Sequence, residues 1–304
     1  MAKARAIVKR RKAVRNIRKI TQTMQLIATA RYAKCLQRAI ASKPYTAALS
    51  GLVATLSEHA ALEHPLLKAA PEAHKSVLLV ITSNRGLCGS HNAGVLRVGM
   101  EHYRALAAKQ LEPELEMVGK KGINYARFLK FPLTQTITDV EDRIAYARVA
   151  EMAERYMARF LAGELAQVDV AYAQFYSTAV QRPTVARLLP IAAPTSTAEV
   201  GANSRPAATA GGSSRGAQVQ FDFSPPPAVL LQQLLPETVK LRLYQYFNDA
   251  IVSEQVARMV AMKAATDAAG DMLKQLTQRY NRARQTQITM ELLDIVGGAN
   301  AIAE

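Results

Sequence analysis

Catalysis needs nucleophiles, acid–base groups or metal ligands at workable spacings, and this chain offers few. Its histidines are His59, His64, His74, His91 and His102, and its cysteines are Cys35 and Cys88. No HExxH is present, and no histidine stands at metal-ligand spacing from a cysteine. His59 and His64, beside Pro65, read as surface or loop positions. Two cysteines so far apart make neither a disulfide framework nor a thiolate cluster. A reducing interior is the expected compartment, and both thiols read as small buried apolar groups. The sequence contains no GxxxxGK[ST] loop and no GxGxxG after a strand. Gly86-Leu87-Cys88-Gly89 follows a strand-like run, but two glycines serve a tight strand-to-helix turn as readily as a phosphate. Asp139, Glu141 and Asp142 precede a helical pattern and are expected to serve its positive N-terminal end. No catalytic, metal or cofactor site is expected.

Charge is the stronger signal. The net charge is +15, with 49% apolar and 21% charged residues, the balance of a soluble globular protein. No window approaches the roughly 18 uncharged apolar residues of a membrane span, so no direct span is expected. Residues 1–57 hold thirteen Lys and Arg and no Asp or Glu, and nine of the thirteen lie between Lys3 and Lys19. A nucleic-acid arm would use such charge to neutralise phosphates. A transit peptide is also Arg-rich and acid-poor. The third reading is a basic helix that faces an acidic protein partner. Composition alone favours the first.

Two elements must position that charge. Apolar residues fall at Ile7, Val14, Ile17, Ile20, Met24 and Ile27, then Tyr32, Cys35, Leu36 and Ala39, and resume after Pro44 at Leu49, Leu52, Val53 and Leu56. This helical spacing sustained over about 55 residues implies a rod of roughly 80 Å, which needs a partner. A second rod follows Pro236, through Leu243, Phe247, Ala250, Ala257, Val260, Ala264 and Ala268, then Leu273, Leu276, Tyr280, Ile288, Leu292 and Ile295. Its small residues would let another helix approach closely, so the two ends are expected to pair as an antiparallel coiled coil. Packing of each rod on a globular core, or pairing between chains, is the alternative. Between them, strands at 77–81, 114–118, 133–137, 168–176 and 183–191 alternate with helices at 93–109, 123–129 and 144–161, and Gly119-Lys120-Lys121-Gly122 reads as a turn. That order predicts an open, mostly parallel sheet with flanking helices and an antiparallel last pair. The expected division is a first helix at 1–60, an α/β domain at 74–192, a Gly/Ser/Pro-rich loop at 193–228 and a last helix at 229–304. Phe221-Asp222-Phe223 within the loop reads as a possible edge segment.

Three segments resemble the gamma subunit of F-type ATP synthases. The first is Lys19-Ile20-Thr21-Gln22-Thr23-Met24, continuing to Ala28-Thr29-Ala30-Arg31. The second is Arg85-Gly86-Leu87-Cys88-Gly89-Ser90-His91-Asn92. The third, the most specific, runs from Ser253-Glu254-Gln255 through Arg258 to Thr266-Asp267, and continues with Tyr280-Asn281-Arg282-Ala283-Arg284-Gln285 and Ile288-Thr289.

The resemblance implies a non-catalytic rotor shaft without cofactors. One copy would sit inside a hexamer of three α and three β subunits, its foot on the epsilon subunit and the membrane c-ring. Arg258, Arg284, Gln285 and Thr289 would contact the β catch loops. Lys19, Met24 and the turn Arg85, Gly86, Leu87, Cys88 and Gly89 would lie near the acidic β lever loop. Leu292, Leu293, Ile295 and Val296 would form an apolar bearing tip. The first signature begins near residue 19, as in mature family members, so the basic segment belongs to the shaft. A peripheral position on the cytoplasmic face of a bacterial inner membrane is expected. The chain departs from the family's usual residues at Ala268 for Asn, Gln287 for Ser and Met290 for Gln, all flanking the expected catch contacts. A basic coiled-coil nucleic-acid-binding protein remains the rival, and the gamma subunit of a variant ion-pumping ATPase a nearer one.

Overall fold

The computed structural model describes residues 2–60, 64–67, 73–191 and 226–303. The loop expected at 193–228, including Phe221-Asp222-Phe223, lies outside the described residues except for 226–228. In chain order the elements are α1 (Ala2–Ala60), a 3-10 turn (Pro65–Leu67), β1 (Lys75–Ile81), α2 (His91–Ala108), β2 (Glu112–Val118), α3 (Lys120–Phe128), β3 (Leu133–Ile137), α4 (Tyr146–Leu161), β4 (Leu165–Phe175), β5 (Gln181–Leu189) and α5 (Pro227–Ala303). They form two compact units. A two-helix unit takes Met1–Arg31, Leu87–Gly89 and Gln255–Glu304, and a sheet unit takes Tyr32–Gly86 and Ser90–Glu254.

The sheet unit is a five-stranded sheet of order β3-β2-β1-β4-β5, parallel except for β5, which runs antiparallel to β4. β1 is buried from Ser76 onward, because a parallel strand with helices on both faces has no solvent side. Leu78 and Val80, with Leu115, Met117, Ala171 and Ala173, turn toward Val95, Leu96 and Met100 of α2 and Ile123 and Ala126 of α3. α4 buries Val149, Met152, Ala153, Tyr156, Met157 and Phe160, and its Tyr156 reaches Glu116, whose side chain leaves β2 on the opposite face from Leu115 and Met117.

The chain winds outward from β1 through β2 and β3, then returns to β1's other side as β4. In doubly wound folds a ligand sits at that switch, at the carboxyl ends of the strands. Here the chain's own residues pack there. Ser253 Oγ donates to the Ala173 carbonyl at 3.0 Å, and Tyr246 stacks on Tyr172 with centroids 4.7 Å apart. α5 buries Leu231, Leu235, Val239, Leu243 and Phe247, one per turn. A proline inside a helix removes an N–H bond at a cost of about 3 kcal/mol, yet α1 continues through Pro44, with Leu49 and Val53 buried beyond it.

Two local expectations are corrected here. The turn expected at Gly119-Lys120-Lys121-Gly122 is the start of α3. Gly119 has φ 91°, and a Cβ on it would stand 2.2 Å from the Thr82 carbonyl oxygen; one on Gly122 would meet Thr82 Oγ1 at 2.6 Å. The glycines are there for close approach. Nor do Asp139, Glu141 and Asp142 serve a helix end: α4 begins at Tyr146 with no acid in its first turn. Asp139 pairs with Arg148 Nε at 3.2 Å, and the Asp142 carbonyl accepts from Arg38 Nη1 at 3.3 Å.

The two-helix unit is an antiparallel coiled coil with a seven-residue repeat. On α1 the inward positions are Ile7, Arg11, Val14, Thr21, Gln25 and Ala28; on α5 they are Met262, Thr266, Ala269, Leu273, Leu276 and Tyr280. Val14, Ala269 and Leu276 form the buried cluster, flanked by Ile7 and Leu273. Thr266 donates to Thr21 at 2.8 Å, and Thr21 donates to the Arg18 carbonyl at 3.0 Å. The Arg11 guanidinium lies 5.0 Å from the Tyr280 ring centroid, and Arg18 covers Gly270, 3.9 Å from where a Cβ would be. The expected apolar face is therefore partly wrong. Ile17, Ile20 and Ile27 are 52%, 59% and 48% exposed, and Val260, Ala264 and Ala268 also face outward. A supercoiled pair follows a 3.5-residue period. Counting apolar residues instead selected a neighbouring stripe and passed over Arg11 and Thr21.

Candidate partner interface

The turn after β1 is built by side chains that hold backbone. Thr82 Oγ1 donates to the Val118 carbonyl at 2.6 Å and accepts from the Gly122 N–H at 2.9 Å. Asn84 Nδ2 donates to the Val140 carbonyl at 2.6 Å, while its Oδ1 accepts from the Lys120 N–H at 3.1 Å. Asn92 Oδ1 accepts from the Ser83 N–H at 3.0 Å, and Ser83 Oγ donates to the Arg85 carbonyl at 2.6 Å. So braced, the backbone leads into Arg85, Gly86, Leu87, Cys88 and Gly89. Leu87 has φ 66°, a region that disfavours a side chain, and is 59% exposed. Gly89 has φ 56°, and a Cβ there would lie 3.7 Å from the Ala261 Cβ. Arg85 is exposed, Gly86 is half-buried, and Cys88 is buried. The turn thus holds an apolar side chain outward on backbone that side chains rarely adopt.

On α1, Lys19 is exposed and Met24 half-buried. Beside them stand the exposed Ile17, Ile20 and Ile27, which no sequence argument assigned to a surface because they fit an inward stripe.

Along α5 the expected contact residues divide. Arg258 is buried, with Nη1 donating to Gln255 Oε1 at 3.2 Å. Arg284 and Gln285 are exposed. Thr289 is exposed, but its hydroxyl donates to the Gln285 carbonyl of its own helix at 3.0 Å. Of the departures, Ala268 and Met290 face outward, while Gln287 Nε2 donates to Glu291 Oε1 at 2.8 Å. Leu292, Leu293, Ile295 and Val296 are 57%, 65%, 68% and 55% exposed. These four largely exposed apolar side chains fall within little more than one helical turn.

The sheet unit also holds buried charge that sequence reasoning missed. Asp169, 1% exposed, accepts from His102 Nε2 at 2.7 Å, Gln167 Nε2 at 2.8 Å and Arg187 Nε at 3.2 Å. Glu116, 2% exposed, accepts from the Tyr156 hydroxyl at 2.6 Å and Arg155 Nη2 at 2.9 Å. Burial, then the Glu116 charge, raises the Tyr156 hydroxyl well above its ordinary range. The Arg159 hydrogen bond holds the Glu114 carboxyl below its usual value. Burial and Glu237 push Tyr146 up to about 12. The contacts of Glu114 and Glu116 tie β2 to α4, and those of Asp169 tie β4 to α2 and β5. Asp169 and Glu116 meet partners as far as 67 and 40 residues away, which no local pattern marks.

Among the described residues, no three His, Cys, Asp or Glu side chains are placed to hold a metal ion. Among the same residues, no helix is long and apolar enough to cross a membrane.

The comparisons with known proteins agree with this architecture. A family model described as ATP synthase matches residues 3–302. The ATP synthase gamma chain of Rhodopirellula baltica is 41% identical over 303 residues, covering 99% of each chain. That of Leptospira biflexa is 37% identical, covering 100% of each. A chain in the cryo-EM structure of Euglena gracilis mitochondrial ATP synthase (OSCP/F1/c-ring, rotational state 3) has the same fold. Its TM-score is 0.65 at 14% identity, over 99% of this chain and 95% of that one. Helices at both ends, a mostly parallel sheet between them and identity across the whole length place the chain in the ATP synthase gamma chain family.

Proposed function

We propose that this chain is the central-stalk rotor of an F-type ATP synthase, a non-catalytic subunit that couples ion flow through a membrane ring to ATP synthesis or hydrolysis. The observation that carries this reading is the surface of the two-helix unit. Its seam is closed, yet apolar Leu292, Leu293, Ile295 and Val296, together with Arg284 and Gln285, all face outward. Such a surface fits contact with other chains.

In this reading the tip turns in the collar of an α3β3 hexamer, where apolar groups slide without fixed hydrogen bonds. Arg284, Gln285 and Thr289 meet the β catch loops, while the buried Arg258 is held to Gln255 of its own helix. Lys19, Met24, Leu87 and the rest of the Arg85–Gly89 turn, with Ile17 and Ile20, meet the acidic lever of β. Three chemically identical sites meet three different faces of one shaft. Differential affinity for those faces shifts each site's conformational population as the shaft turns. The sheet unit serves as the foot on the epsilon subunit and c-ring, which puts the protein peripherally on the cytoplasmic face of a bacterial membrane.

The test is assembly. The chain mixed with α and β subunits at moderate salt should give a complex with one copy per hexamer and restored ATP hydrolysis. Failure to assemble, with salt-sensitive binding to DNA or RNA instead, would transfer the function to the basic helix α1 as a nucleic-acid surface.

A further inference from the structure

The two helix layers of the sheet unit differ in charge. On α4, Arg148, Arg155 and Arg159 each hold a carboxylate. On the opposite layer, Arg97, Arg104, Lys120, Lys121, Arg127 and Lys130 are all exposed, and among the described residues none has an ion-pair partner. Between α2 and α3 on that layer lies a groove of about 480 Å³, within the range of roughly 300–1,000 Å³ of small-molecule sites.

Its lining is graded. Leu96 and Met100, both buried, make an apolar floor. Arg97 and Arg104 line it from α2, seven residues and thus about 10 Å apart along the helix, and Lys121 lines it from α3. Tyr125, 37% exposed, supplies an aromatic face, and Glu101 is the one carboxylate. Three cations exceed what one carboxylate neutralises, so the groove favours an anion. Two arginines two helical turns apart can meet more than one phosphate, and each guanidinium can grip a phosphate through two parallel N–H groups. Tyr125 and the floor offer apolar contact for a ring, and Glu101 can accept from hydroxyl or amino groups.

We infer that the α2–α3 groove binds an organic phosphate, its phosphates held by Arg97, Arg104 and Lys121 and its organic part against Tyr125, Leu96 and Met100. The ligand's phosphate can come from a free nucleotide or from a lipid headgroup. Its lining residues all belong to the sheet unit, and the inference does not depend on the rotor reading.

The experiment is calorimetric titration of the full chain with ADP, with pyrophosphate, and with vesicles of equal parts phosphatidylglycerol and phosphatidylcholine. Because the chain is strongly basic, a charge-matched control is essential. Arg97→Ala/Arg104→Ala should weaken binding by about tenfold or more, since each lost guanidinium removes a charge-assisted hydrogen bond. Lys34→Ala/Arg143→Ala, an equal loss of charge from exposed positions in the same unit, should leave it within about twofold. Tyr125→Ala should weaken ADP but not pyrophosphate. ADP binding with this pattern supports a free nucleotide; vesicle binding alone, with the same arginine dependence, supports a lipid headgroup. Equal loss in the two double variants, or no binding of any probe, overturns the inference.

Discussion

The position of the two-helix seam makes a quantitative prediction. Leu276 is 5% exposed and packs in the cluster with Val14 and Ala269. Leu276→Ala removes three carbons from a site whose neighbours, on two long helices, can relax only partly. The loss is about 2–3 kcal/mol, toward the lower end for buried leucines because the seam is only two helices deep. Ile17 is 52% exposed, so Ile17→Ala loses little contact and gains helix propensity. Its effect should stay within about 0.5 kcal/mol. Long helices in separate units need not unfold in one step, so residue-resolved hydrogen exchange is the assay. Amides of Met262–Ala283 should exchange about 30–150 times faster in Leu276→Ala and no more than about twice as fast in Ile17→Ala. Equal acceleration by both would refute the seven-residue seam and restore the stripe read from apolar residues alone.

Other predictions follow from particular contacts. Tyr156→Phe deprives the buried Glu116 of a 2.6 Å donor and should cost about 1–3 kcal/mol in chemical denaturation of the sheet unit. The folded Glu114 carboxyl lies below its ordinary 4.5 because of Arg159. Its contribution is therefore present above pH 4.5 and is lost as pH falls through the folded value; Glu114→Gln should flatten the acid side of the stability profile. Arg284→Ala/Gln285→Ala, both exposed, should leave melting unchanged within about 0.5 kcal/mol but lower ATP hydrolysis in the reconstituted hexamer. Leu292→Ser/Ile295→Ser, at 57% and 68% exposure, should weaken capture by α and β subunits without destabilising the free chain.

Much of the fold was legible because it rests on local pattern. The apolar run Val77–Ile81 read as a strand of a helix-covered sheet, and it lies at the sheet's centre. The alternation of strands and helices implied parallel pairing, and the late strands 168–176 and 183–191 pair antiparallel, as expected. What escaped was set by geometry beyond the window. A supercoil's period decides which residues face inward, so Thr21 and Arg11 entered the seam while Ile17 left it. Gly119 and Gly122 signalled a turn by type, but their role is set by Thr82, some forty residues earlier. The charge network on Asp169 joins α2, β4 and β5 and has no signature in any one of them. For the partner surface, motif resemblance supplied Arg284, Gln285 and the Arg85–Gly89 turn; only coordinates distinguished the buried Arg258 from the exposed Arg284.

Rotation is the most direct test of the rotor account. A cysteine placed at exposed Arg143 in a chain with Cys35 and Cys88 replaced by Ala would carry a bead on the foot, with the α3β3 hexamer fixed to a surface. On addition of ATP, the account predicts unidirectional rotation in three equal steps per turn, one for each β subunit. ATP hydrolysis by the same complexes with the bead stationary would contradict it.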